Sequence, residues 1–242
     1  MATSPLIEAV VANNIRECRR LLETEEGMET IDDRDQYEEE LDEDGDSHDH
    51  IYNRPIGLTA LMHACKGGYL NIAELLLSKG AVVDWRGINE RYTALMMASY
   101  HNHFEIAKLL ISEGGGGEVD LADDDGWTAL LYASDEGDLE ILELLTSSGA
   151  DVNIRTGYGN TALHIASIHG HLEIAQLLLC QGADMRERTI DRTYTNGSLK
   201  VADCLRKWPW TMAIIALKED LAVYHLLDAL TIIDLWQYLG NQ

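Results

Sequence analysis

Apolar residues recur along this chain in pairs of short runs at helical spacing, each run closed by glycine. The clearest pair lies between Asp125 and Asn153. Thr128 opens a run on Leu130 and Ala133, and Gly137 closes it. A second run on Ile141, Leu144 and Leu145 stops at Gly149. The spacing predicts two short amphipathic helices joined by a tight turn. Helices this short are marginal alone, so their apolar stripes need neighbours of the same kind.

The neighbours are in the sequence. Thr161-Ala162-Leu163-His164-Ile165-Ala166 begins 33 residues after Thr128 and continues through Gly170, Ile174, Leu177-Leu178-Leu179 and Gly182. Upstream stand Thr93-Ala94-Leu95 with Ile106 and Leu109-Leu110, and Thr59-Ala60-Leu61 with Gly68, Ile72, Leu75-Leu76-Leu77 and Gly80. A period near 33 that opens on Thr-x-Leu-x-x-Ala resembles the ankyrin repeat. The resemblance implies an all-α solenoid: a stack of about five to six helix-turn-helix repeats joined by β-hairpin loops.

Along the chain this predicts an N-terminal capping repeat over 1–23, where Ser4-Pro5-Leu6 stands for Thr-x-Leu and Asn13 for the glycine. Four repeats follow at about 57–88, 89–123, 124–156 and 157–194. Divergent C-terminal capping helices occupy 195–242, interrupted at Pro209. Between cap and repeats lies an insertion, 24–56. Its residues 24–52 hold 14 Asp or Glu against the single basic Arg34, so self-repulsion and low hydrophobicity predict disorder. Arg91 holds the hairpin position taken by Gly57, Gly126 and Gly159, which predicts an altered turn there. Asn102 stands where glycine ends a first helix, a site whose left-handed conformation asparagine tolerates. The run Gly114–Gly117 predicts a mobile bulge and, with no Lys-Ser/Thr after it, no phosphate loop.

Charge narrows the function. A net charge of −24 opposes nucleic-acid and anionic-membrane binding and fits a positively charged protein partner. Cys18, Cys65, Cys180 and Cys204 show no paired spacing and read as free thiols. No signal sequence or long apolar span is visible, so a cytoplasmic or nuclear location is expected. Asp42-Glu43-Asp44-Gly45-Asp46 misplaces the glycine of a calcium loop, and His48 and His50 form no metal cage. No nucleophile–base or His-Glu-x-x-His arrangement appears. The expectation is a monomeric, non-enzymatic binding module without cofactor or metal.

The resemblance also implies where such a module binds: hairpin tips and the exposed side of each first helix line one concave groove. The matching positions include Tyr92, Tyr100 and His101 in the third repeat. In the fourth they include Asp124, Asp125, Trp127, Tyr132, Asp135 and Glu136, and in the fifth Tyr158, Ile168 and His169. Aromatic residues beside clustered carboxylates suit Lys or Arg of a partner. The rival reading makes Tyr132 and its neighbours hairpin covers, and a second function reading makes 195–242 a recruitment segment of an adaptor. Two further implications come from the resemblance. His63 and His164 would hydrogen-bond at the starts of first helices, and Asn153 resembles the family's asparagine hydroxylation sites.

Overall fold

The computed structural model describes residues 4–34, 57–86, 91–113 and 119–184, together with Val201 and Lys207. They form α1 (Pro5–Val11), α2 (Ile15–Leu21), α3 (Glu25–Glu29), α4 (Ala60–Gly67), α5 (Leu70–Ser78), α6 (Ala94–Tyr100), α7 (Phe104–Glu113), α8 (Ala129–Glu136), α9 (Leu139–Ser147), α10 (Ala162–His169) and α11 (Leu172–Cys180). The first helices α1, α4, α6, α8 and α10 touch in sequence and build one layer. The second helices α2, α5, α7, α9 and α11 build another behind it. One continuous core joins the repeats, from Leu6 and Val10 through Leu61, Met96 and Leu130 to Ile174 and Leu178. No described helix is long and apolar enough to cross a membrane.

The threonines explain where the first helices begin. Thr59, Thr93, Thr128 and Thr161 are buried, and each hydroxyl accepts the backbone N–H three residues on, at 3.2–3.4 Å. Each such cap contributes about 1 kcal/mol and sets the helix register. His164 adds a contact of its Nδ1 with the Thr161 hydroxyl at 2.8 Å. The position three residues after the threonine, held by His164 in the fifth repeat, belongs to Met62 in the second, and His63 stands one residue further on.

The same left-handed backbone ends the first helices whether glycine or asparagine stands there. Gly137 has φ 83°, and Asn13 and Asn102 have φ 51° and 57°. Arg91 corrects an expectation: at φ 55° it keeps the conformation of Gly57 and Gly126 instead of altering the turn. Its side chain approaches Asp124, Nε to Oδ1, at 3.8 Å across the neighbouring hairpin tip. Among the described residues there is no regular strand. The fourth hairpin is a tight turn closed by Asp123 N–H to the Trp127 carbonyl at 2.9 Å and Gly126 N–H to the Asp123 carbonyl at 3.1 Å.

Residues 24–34 also correct the sequence reading, because they are folded. Thr24 caps α3, and Ile31 is buried like Val119 and Val152, its counterparts in later repeats. The adjacent Asp32 accepts the N–H of Val82 at 3.0 Å. Asp120 accepts that of Asp151 at 3.1 Å, and Asn153 accepts that of Asp184 at 2.8 Å. Ile31-Asp32 is therefore the hydrophobic–acceptor pair that ties one hairpin to the next. The first repeat runs to Arg34, whose guanidinium lies 3.9 Å from the Trp85 ring centroid. Burial of one isoleucine and this bond outweigh the local charge density that predicted disorder. Arg34 pairs with Thr59 in an isolated antiparallel bridge, which brings the described residues on either side of 35–56 together. The rest of the insertion, 35–56, the Gly114–Gly117 run, and 195–242 apart from Val201 and Lys207 lie outside the described residues.

Candidate protein-binding surface

The centre of the surface is a buried carboxylate. Asp123 begins the fourth hairpin, and its Oδ1 accepts the N–H groups of Asp125 at 3.0 Å and Trp127 at 2.7 Å. Its Oδ2 accepts the Tyr132 hydroxyl at 2.6 Å. Burial pushes the Asp123 carboxyl above its usual range, while these three donors pull it back. Burial also raises the Tyr132 phenol, helped by the Asp123 charge, so it stays a donor. In the fifth hairpin Thr156 does the corresponding work, accepting the Asn160 N–H at 3.2 Å.

Aromatic rings collect around Tyr132. Trp127 lies 5.1 Å away and tilted, Tyr100 meets it edge-on at 6.0 Å, and Tyr92 stands at 6.4 Å. The cluster divides the predicted aromatic wall. Tyr92 and Tyr132 are buried and cover the hairpins, so they are not exposed anchors. Trp127 and Tyr100 are half-buried, and Tyr158 is 84% exposed at the tip of the fifth hairpin. The tips are stacked by a bond from the Gly157 N–H to the Asp125 carbonyl at 2.6 Å.

The carboxylates lie in two groups. Asp124 and Asp125 are exposed on the fourth hairpin. Asp135, half-buried, and Glu136, exposed, end α8, with exposed His169 beside Asp135, and His101 and Ile168 are half-buried. The negative pole of a helix is a poor place for a carboxylate and a good one for a cation. Burial raises both carboxyls, and in Glu136 the Asp135 charge adds to it. His101, edge-on to Tyr100 at 4.8 Å, is pushed down to about 4 by burial and by the Lys66 charge.

Histidines stitch this edge together. His103 Nε2 lies 3.3 Å from the Lys66 carbonyl and His171 Nε2 3.0 Å from the Asp135 carbonyl, each ring over the glycine that ends the first helix of the preceding repeat. At the interface between them Asp138 takes the histidine's place. It caps α9, but its Oδ2 is buried without a hydrogen-bond partner. Asp123, Asp138 and His171 escaped the sequence reading. The available signal was their fixed distance from each repeat's threonine, five residues before it or ten after. Asn153 spans two hairpins through both ends of its amide, to the Gly182 carbonyl at 3.4 Å and the Asp184 N–H at 2.8 Å. No group of three metal-ligating side chains occurs among the described residues.

Comparison with known families agrees with this geometry. The profile described as ankyrin repeats (3 copies) matches residues 83–156 and 115–189, and the single ankyrin-repeat profile matches 56–88. The chain belongs to the ankyrin-repeat family. Its repeats are protein-interaction modules. Among curated proteins this ankyrin-repeat chain is 34% identical over 116 residues to mouse Ankyrin repeat and SAM domain-containing protein 6, covering 47% of the chain and 13% of the relative. It is 32% identical over 154 residues to Ankyrin repeat protein nuc-2 of Neurospora crassa, covering 62% and 12%. With human Ankyrin repeat domain-containing protein 17 the figures are 40% over 73 residues, 30% and 3%. The ankyrin-repeat chain thus spans a small part of each of these relatives.

Proposed function

We propose that the groove of repeats three to five binds a basic segment of a partner protein, without catalysis, cofactor or metal. The observation that carries this reading is the pair Asp135 and Glu136, two carboxyls raised by burial at the negative end of α8. A partner's Lys or Arg would bring a permanent positive charge to a place where the chain itself sets His169 against Asp135. Trp127, half-buried and in reach of the exposed Asp124 and Asp125, offers an aromatic face to the same cations. Tyr158 provides an exposed apolar anchor on the same edge. Tyr92 and Tyr132 support the groove from behind.

The reading includes a monomer working in the cytosol or nucleus, in keeping with Cys18, Cys65 and Cys180 as free thiols. Asn153 is kept as a candidate hydroxylation site, reached only if its amide leaves the two hairpins it bridges. For residues 195–242, a cap is favoured over a recruitment segment because Val201 is fully buried in the same core as the repeats. The test is affinity capture with the native chain and a Trp127→Ala, Asp135→Lys, Glu136→Lys variant. A partner bound through a basic segment should be lost from the variant and released from the native chain by salt. Retention of every partner by the variant would move binding off the groove.

A further inference from the structure

Asp135 is not an open carboxylate. His169, at the end of the next first helix, places Nε2 3.0 Å from its Oδ1. The Asp135 side chain is 22% exposed and that of His169 50%, so the imidazole occupies one carboxylate oxygen from the more solvent-exposed side of the pair. His171 stacks on His169 at 6.0 Å and lies with its Nε2 3.0 Å from the Asp135 backbone carbonyl. His171 is packed over Gly137 and is fixed. His169 is half-exposed and held by its contacts with Asp135 and His171, so turning it away gives up those two contacts.

We infer that His169 is a built-in competitor for the cation subsite at Asp135. A partner's Lys or Arg reaches that carboxylate only by turning His169 away, and a protonated His169 holds it more tightly than a neutral one. This rests on the groove reading above and adds to it a proton-dependent affinity. An imidazolium pairs with a carboxylate more strongly than a neutral imidazole does, so protonation of His169 weakens binding of a basic segment. Among the described residues, the charged and titratable groups facing His169 are Asp135 and Glu136 from α8 and His171 from the turn before α11. His101 and His103 lie one repeat further along, beyond α8.

The competitor differs from a structural histidine in the direction of its mutational effect. Removing a supporting side chain weakens a site, whereas removing a competitor strengthens it. The probe is a fluorescein-labelled peptide alternating arginine and glycine, titrated by anisotropy into the full chain at about pH 7.5 and about pH 5.5, either side of histidine's ordinary titration. The proteins are the native chain, His169→Ala and Asp135→Asn, with circular dichroism to show that each variant is folded. His169→Ala should bind roughly two- to fivefold more tightly than the native chain, the range spanned by a part-exposed ion pair. It should also lose most of the weakening seen at the lower pH. A native chain no better than Asp135→Asn at the higher pH overturns both the groove reading and this inference. Binding that depends on Asp135 but is unchanged or weakened in His169→Ala, or that keeps its full pH dependence there, overturns the competitor alone. Titration of Asp135 itself would then account for the pH effect.

Discussion

The hydroxyl of Tyr132 donates to the Oδ2 of Asp123 at 2.6 Å, and that bond joins the fourth hairpin to the helix it precedes. Both groups are buried, nine residues apart, and neither faces a partner directly. Their contact sets where Trp127 stands, because the same carboxylate accepts the Trp127 N–H. A residue that the family pattern places in the groove thus acts one layer beneath it.

Tyr132→Phe removes one donor from a buried carboxylate and should cost about 1.5–3 kcal/mol in urea denaturation, the range for a hydrogen bond to a charged group. Burial raises the Asp123 carboxyl, so its ionisation opposes folding. The stability tied to its protonated form is complete below about pH 4 and declines as pH rises through the raised native value. The Tyr132→Phe penalty should accordingly be larger at neutral pH than in acid. A penalty that does not change with pH would mean that the bond does little to hold the charge.

Gly137 and Gly149 separate backbone strain from packing. Both are left-handed, at φ 83° and 94°, but a β-carbon at Gly149 meets nothing within 4 Å and one at Gly137 would lie 2.6 Å from the His171 ring. Gly149→Ala should cost about 1–2 kcal/mol from the left-handed conformation. Gly137→Ala should cost roughly 1–3 kcal/mol more, because the His171 ring must shift. Equal melting temperatures for the two variants would remove His171 from the contact between repeats four and five.

His101 gives a signed pH effect. Its native value, about 4, lies below the ordinary histidine value of 6.5. The native state therefore binds fewer protons than the unfolded chain between those values. Stability from neutral His101 is complete above 6.5 and is lost as pH falls toward 4. His101→Gln should lose less stability than the native chain between neutral pH and about pH 5, a difference read by thermal melts in matched buffers. Parallel melting curves would place His101 in water.

Asp32 and Arg34 hold the first repeat to the second. Asp32→Ala should cost about 1 kcal/mol through the lost Val82 bond, and Arg34→Ala about 0.5–1 kcal/mol through the lost cation–π contact. Arg34→Ala should also change the Trp85 environment. Unchanged stability in both, by urea titration with tryptophan fluorescence, would return residues 24–34 to the insertion.

The repeat register was legible because Thr59, Thr93, Thr128 and Thr161 each do the same job at the same distance from the same glycine or asparagine. What the pattern did not reveal lay where one residue type substitutes for another in an unchanged backbone. Arg91 adopts a glycine's conformation, and Ile31-Asp32 replaces Val-Asn after a helix, α3, that the period does not contain. Tyr92 and Tyr132 sit at groove positions by count but turn inward, since Asp123 offers the Tyr132 hydroxyl an acceptor that sequence distance alone does not display. The acidic edge was readable as charge. Its coverage by His169 was not, because Asp135 and His169 come from helices a whole repeat apart.

The most direct test of a cation-binding groove is selection of random peptides on the purified chain, followed by the same selection on Asp135→Lys, Glu136→Lys. Peptides enriched in Lys and Arg should emerge from the native chain and be lost from the variant, with affinity falling as salt is added. Selected peptides with no excess of basic residues, or basic peptides that the variant retains equally well, would contradict the account.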